Sequence, residues 1–258
     1  MRATSRITGA SKNTITKLLV QVGKACQTFH NNTVNHVQSK RVQCDEIWSF
    51  VYAKERNVPQ EMKTEVKSAG DVWTWTAIDA DTKLIVSWLV ADRGLDSAKL
   101  FMQDVASRLA NRVQLTTDGL KNYLTAVDHA FGTAIDFSQL VKTYEGDTDG
   151  YEKRYSSAIC TGTKKTVISG KPDKKHISTS FVERQNLTMR MNMRRFTRLT
   201  NAFSKKMENH CYAIALHFVY YNFVRVHQTL RVTPAMESGL AKRPMSIEEV
   251  IQLTEKVF

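Results

Sequence analysis

The chain has 258 residues, 42% of them hydrophobic and 24% charged, enough for one sizeable core. Its formal net charge is +12, and the excess is local: Tyr151 to Arg231 holds 16 Lys and Arg against 4 Asp and Glu, while the rest holds 21 of each sign. A solvated basic face explains some of this, but confinement to one third of the chain favours a polyanionic partner, nucleic acid above all. No apolar run approaches the ~20 residues of a membrane span, and the first residues carry no apolar signal core, so a cytoplasmic protein is expected.

In chain order, residues 1–40 read as a partial helix-turn-helix and a linker. Thr8-Gly-Ala10 is the turn, Ser11 the cap of a helix over Lys12 to Val22, and Gly23 its end. Ile15, Leu18, Leu19 and Val22 form its apolar stripe, leaving Lys12, Asn13, Thr16 and Lys17 to face DNA. Only seven residues precede the turn, fewer than a full first helix needs, and 26–40 are polar.

Three strands follow, Val42–Tyr52, Val72–Ile78 and Leu84–Val90, joined as an antiparallel meander. A helix from Asp96 or Ser97 to about Asn111 leads to a short strand, Val113–Thr117, then to a helix over about Leu120–Ala130 and a strand over Ile135–Tyr144. Residues 145–179 read as an insertion containing a hairpin of Thr166–Ser169 with Lys175–Ser178 about Gly170. A helix opening at Ser180 comes next, then a long amphipathic helix over 201–226, and a tail, 236–258, with a capping box at Ser246-Ile-Glu-Glu249. Antiparallel strands first and βα units after predict an α/β fold with an RNase H-like core over 41–235. It is a mixed five-stranded sheet flanked by helices, with a small N-terminal helical segment.

The chemistry centres on Asp45, Asp118 and Glu183, at spacings of 73 and 65 residues. Asp45 lies in the first strand, Asp118 at the end of the fourth and Glu183 on the helix opening at Ser180, and this strand order makes the first and fourth strands neighbours. Converging carboxylates repel each other, and hard divalent cations such as Mg²⁺ relieve that repulsion. Two ions about 3.5–4 Å apart suit in-line displacement at a phosphodiester. No nucleophile motif competes, and the four cysteines and seven histidines show no metal-ligand spacing. Each acid has a plainer reading. Asp45 can be an edge acid with Glu46 the exposed partner, Asp118-Gly119 an ordinary strand-to-helix turn, and Ser180-x-x-Glu183 a capping box. On a helix, Glu183, Asn186, Leu187, Arg190 and Arg194 share a face, with Arg184, Arg195 and Arg198 adding cationic surface.

Three motifs carry a family resemblance: Cys44-Asp-Glu-Ile-Trp-Ser-Phe50, Thr116-Thr-Asp-Gly-Leu-Lys-Asn-Tyr123 and Ser178-Thr-Ser-Phe-Val-Glu-Arg-Gln-Asn186, continued by Tyr221-Asn-Phe-Val-Arg-Val-His-Gln-Thr-Leu230. From Arg41 to Ala235 the chain resembles DDE transposases of bacterial insertion sequences, nearest to the first-named insertion-sequence family. The resemblance implies Asp45, Asp118 and Glu183 as ligands of Mg²⁺, which Mn²⁺ can replace. It also implies Arg190, seven residues after Glu183, as a phosphate contact. The expected partners are terminal-repeat and target DNA, bound by a homo-oligomer. The spacing from Asp118 to Glu183 is longer than is common in that superfamily, and no zinc-binding segment is present. A DNA-binding repressor without catalysis and a general RNase H-like nuclease are the alternatives.

Overall fold

The computed structural model describes residues 1–61, 69–145, 159–197 and 200–256. Helix α1 (Arg2–Thr8) ends at Gly9, whose φ of 73° is left-handed. Ser11 caps helix α2 as expected, its hydroxyl accepting the Thr14 N–H at 3.1 Å. But α2 runs from Lys12 to Thr33, straight through the expected stop at Gly23 and into the stretch read as linker. Gly23 is there for packing. A Cβ on it would lie 2.4 Å from both Cβ and the carbonyl oxygen of Tyr212, on the helix α6 (Met207–Val219).

The sheet has six strands rather than five: β1 (Arg41–Val51), β2 (Gly70–Asp79), β3 (Ile85–Ala91), β4 (Gln114–Thr117), β5 (Asp136–Glu145) and β6 (Ile159–Ser169). Their order is β3-β2-β1-β4-β5-β6. β1 pairs antiparallel with β2, β2 with β3 and β5 with β6, while β1–β4 and β4–β5 are parallel. The first five strands thus form the mixed sheet of an RNase H-like α/β core. The sixth replaces the expected hairpin. Gly170 adopts φ 70°, where a side chain would meet Asp136 and the Ile135 carbonyl, and the Lys171 N–H donates to Asp136 Oδ1 at 2.8 Å. The residues before Gly170 therefore pair back along β5, and Lys174–His176 form a 3₁₀ turn instead of a returning strand. Lys164 and Lys165 stand on this edge strand, a charge placement that discourages edge-to-edge association. Residues 146–158 of the expected insertion lie outside the described residues.

Helices cover both faces. On one side α3 (Leu95–Arg108), α4 (Asn122–Phe131), α2 and α6 enclose a core around Cys44, Trp75, Phe101, Leu115, Tyr123 and Phe223. On the other, α5 (Ser180–Asn192) sets Val182 and Met189 against Ile47, Ile78 and Phe218. This follows from the period of two in β1: Cys44 faces the first core, and Ile47 the second. The long helix expected over 201–226 stops at Val219 and widens into a π-helical turn, Tyr220–Val224. The turn carries Asn222 inward, where its amide donates to the Ile85 carbonyl and accepts the Ile85 N–H, both at 2.9 Å. After it come the one-turn helix α7 (Pro234–Glu237) and α8 (Ile247–Gln252), whose capping box at Ser246 and Glu249 forms as expected. Among the described residues no helix is long and apolar enough to cross a membrane.

Candidate active site

β1 and β4 run in parallel with Cys44 opposite Thr117. The next residue of each chain is an aspartate, so Asp45 and Asp118 emerge side by side at the end of the β1–β4 ladder. Glu183 arrives from the first turn of α5. The three line one cleft of about 580 Å³, together with Glu46, Arg93, Lys142, Asn186 and Arg190.

The capping box at Ser180, the plainer reading of Glu183, is not formed. Thr179 is the N-cap, and the cap is supplied from β1: Gln43 Oε1 accepts the N–H groups of Phe181 (2.8 Å) and Val182 (3.1 Å). Gln43 and Asp45 are two apart on one strand and face the same side. The strand that carries Asp45 therefore fixes the start of the helix that carries Glu183. A second tie lies one turn on, where Asn186 Nδ2 donates to Asp45 Oδ2 at 2.8 Å.

Carboxylate oxygens of Asp45, Glu46 and Asp118 lie within 4.8 Å of one another. Glu183 stands outside this tightest group. Its carboxylate accepts two hydrogen bonds from Lys142 Nζ, at 2.6 and 2.5 Å, and one from the Thr179 hydroxyl at 2.6 Å. Arg93 reaches Glu46 Oε2 at 3.0 Å and lies 3.7 Å from Asp118 Oδ2. Burial first, then the charges of Glu46 and Asp118, push the Asp45 carboxyl up to about 7. Glu46 is likewise raised to about 7 by burial and Asp118, against the pull of Tyr123 and Arg93. Glu46 Oε1, the Tyr123 hydroxyl and Asn186 Oδ1 are buried without a well-formed hydrogen bond, although the hydroxyl is near enough to favour ionised Glu46.

This donor set is all oxygen, crowded and proton-retaining, which fits a hard divalent cation such as Mg²⁺ or Mn²⁺ and not a thiophilic one. A cation there would give Glu46 Oε1 a partner and offset both the burial and the mutual repulsion that raise the two carboxyls.

No protein-family model matches the chain. No curated protein matches it in sequence. Among solved structures, a piggyBac transposase, seen by cryo-EM in a synaptic complex with hairpin DNA, is similar over 85% of this chain at 10% identity and a TM-score of 0.34. This chain spans about half of that transposase, 52% of its length. Similarity at that level bears on neither the family nor the chemistry of this chain.

The cations named from the sequence separate into distinct places. Arg190 is exposed and lines the acidic cleft, whereas Arg184 is exposed away from it. Arg194 and Lys12 meet across a second concavity, and Lys17 is exposed on α2 beyond both. Arg195 is partly buried, its Nη1 donating to Ser204 Oγ (2.8 Å) and the Asn209 carbonyl (3.0 Å). Arg198 lies outside the described residues. Sequence reasoning passed over Gln43, Arg93 and Lys142, placed Asn186 on the Glu183 face without giving it a role, and gave Glu46 only as the rival of Asp45. Two of them carried a signal: Gln43 is two residues before Asp45 on a strand, and Asn186 three after Glu183 on a helix.

Proposed function

We propose that this chain is a DDE-type DNA transposase. It cleaves the 3′ ends of an element at its terminal repeats and transfers them into target DNA, with Mg²⁺ held by Asp45, Asp118 and Glu183. One observation carries the reading: three carboxylates from segments far apart in sequence line a single cleft, with Arg190 at its side. When bound, the divalent ions supply charge to the attacking and leaving oxygens of an in-line displacement. The chain's own groups do the rest. β1 and β4 set the separation of Asp45 and Asp118, Asn186 orients Asp45, and Gln43 holds the start of α5 so that Glu183 faces the same space. Arg190 takes a phosphate next to the reacting one, and Lys142 balances Glu183 until a cation replaces it. The protein acts as a homo-oligomer on DNA, because two element ends must be joined in one event.

The test is a cleavage and joining assay on labelled DNA carrying the repeats that flank the gene, with Mg²⁺ or Mn²⁺. Metal-dependent nicking at the repeat end, lost in Glu183→Gln with DNA binding retained, is expected. Nicking that survives in Asp45→Asn, Asp118→Asn or Glu183→Gln removes that residue from the site. A second reading, a DNA-binding repressor without catalysis, draws on the hydrogen bonds of Lys142 to both Glu183 oxygens. It requires repeat binding that ignores divalent metal and never leads to nicking.

A further inference from the structure

A larger concavity, about 1070 Å³, lies between the start of α2 and the segment after α5. Among the described residues its lining includes Arg2, Lys12, Arg194, Arg195 and Lys205 and no acidic residue. All but Arg195 are exposed. Five cations gathered around one hollow repel one another, and no carboxylate among the described residues of its walls relieves them. A partner with several evenly spaced negative charges does. We propose that this groove is a track for the sugar–phosphate backbone of DNA that flanks the reacting phosphodiester.

Three features of the groove support a nucleic-acid backbone over a small anion. Its walls come from two stretches remote in sequence, and its volume of about 1070 Å³ is far more than one small anion fills. Side-chain amides stand among the cations, Asn13 and Asn201 included, and an amide can donate to phosphate oxygens or pair with base edges. Arg195 is braced by Ser204 and the Asn209 carbonyl, which stiffens the floor.

The groove and the acidic cleft both border α5. Arg190 lines the cleft, and Asn192, two residues on, lines the groove. At ~1.5 Å per helical residue, Glu183 and Asn192 are about 14 Å apart along the axis. At ~3.4 Å per nucleotide of one strand, that is roughly four nucleotides. A strand presenting a phosphodiester to Glu183 that follows the flank of α5 would enter the groove a few nucleotides away. The acidic cleft repels DNA until cations fill it, so binding energy must come from a remote surface, and this groove provides it. The inference rests on the proposed function for DNA as the polymer, while the charge of the groove stands apart from the catalytic residues.

The test uses the full chain and a labelled 30-base-pair duplex of arbitrary sequence. Fluorescence anisotropy is read in EDTA across a NaCl series, so that no strand is cut. The Lys12→Ala, Arg194→Ala, Lys205→Ala triple variant, checked for folding by circular dichroism, is expected to bind at least tenfold more weakly. Its log–log salt slope should be shallower by about 2–3, at ~0.9 for each phosphate no longer neutralised. Arg194→Lys is expected to keep the wild-type slope, and Lys242→Ala, outside the groove, to change nothing. A triple variant with the wild-type slope overturns the proposal. So does groove-dependent binding to anionic phospholipid vesicles with no preference for DNA. An unchanged slope beside metal-dependent nicking sinks the groove and leaves the transposase reading standing. Groove-dependent binding by a protein that never nicks does the reverse.

Discussion

Asn186 donates from Nδ2 to Asp45 Oδ2 at 2.8 Å, linking the helix of Glu183 to the strand of Asp45. Its other amide atom, Oδ1, is buried with no partner. The side chain is thus held at one end by a carboxylate and buried unpaired at the other, an arrangement suited to orienting Asp45. Asn186→Ala is expected to weaken Mn²⁺ binding by about tenfold, within the usual range for a residue that positions a ligand. Calorimetric titration of the folded variant checks this. An unchanged dissociation constant would leave Asn186 a packing residue only.

The raised carboxyl of Asp45 makes a pH prediction whose sign is fixed. Its folded value, about 7, lies above the 3.8 of the free group. The folded state then holds more protons than the unfolded one between those values, and stability contributed by this group falls as pH rises from about 4 to 7. Three buried histidines act the other way. Burial lowers His30 and His210 to about 3 and His217 to about 4, so they cost stability as pH falls below about 6.5. The wild-type curve mixes these with Glu46, also raised to about 7, and the difference between wild type and Asp45→Asn reports the Asp45 carboxyl together with its coupling to Glu46. Melting temperatures in EDTA should show the variant gaining on wild type from pH 5 to pH 8. Added Mg²⁺ should stabilise wild type at pH 8 more than at pH 5, where protons compete. A flat difference would mean that Asp45 is ionised throughout.

Lys142 and Glu183 form a close pair, yet both side chains retain exposure, 26% and 40%. Solvent screening limits such a pair to about 1 kcal/mol or less of stability. Its larger effect is on the metal, because an ammonium on both oxygens competes with any cation. Lys142→Met is expected to tighten Mn²⁺ binding several-fold and to move the melting temperature by only a few degrees. Weaker metal binding in this variant would show that Lys142 holds Glu183 in its binding geometry rather than competing for it.

The first five strands were legible because periodicity and turn residues mark them directly, whereas the expected meeting of Asp45, Asp118 and Glu183 followed only from fitting those elements to an RNase H-like arrangement. Alternation marked β1–β3, and Asp118-Gly119 marked the end of β4. What the sequence concealed depends on packing between distant segments. The α5 cap comes from Gln43, 138 residues before Phe181, and no local pattern separates that from a capping box. β6 pairs back onto β5 because Gly170 packs against Asp136, 34 residues earlier. Glycine has the same ambiguity in α2, where Gly23 resembles a helix stop and is instead a point of close approach.

That difference has opposite consequences for Gly23→Ala. If Gly23 were only a weak spot in a long helix, alanine would stabilise α2 by about 1 kcal/mol through propensity alone. In the structure a Cβ at this position would meet Cβ, C and O of Tyr212 at 2.4, 2.8 and 2.4 Å. Two of those atoms are backbone, so no rotamer change relieves the clash, and α2 and α6 must move apart. The cost of such overpacking is about 1–3 kcal/mol, sometimes more. Urea unfolding of Gly23→Ala should therefore show a lower midpoint with an unchanged slope. Because Cys26, Val34, Val219 and Phe223 belong to the same core, the loss should spread beyond the helix pair. A midpoint higher than wild type would mean that α2 does not rest on α6 at Gly23, and that the close backbone approach is absent in solution.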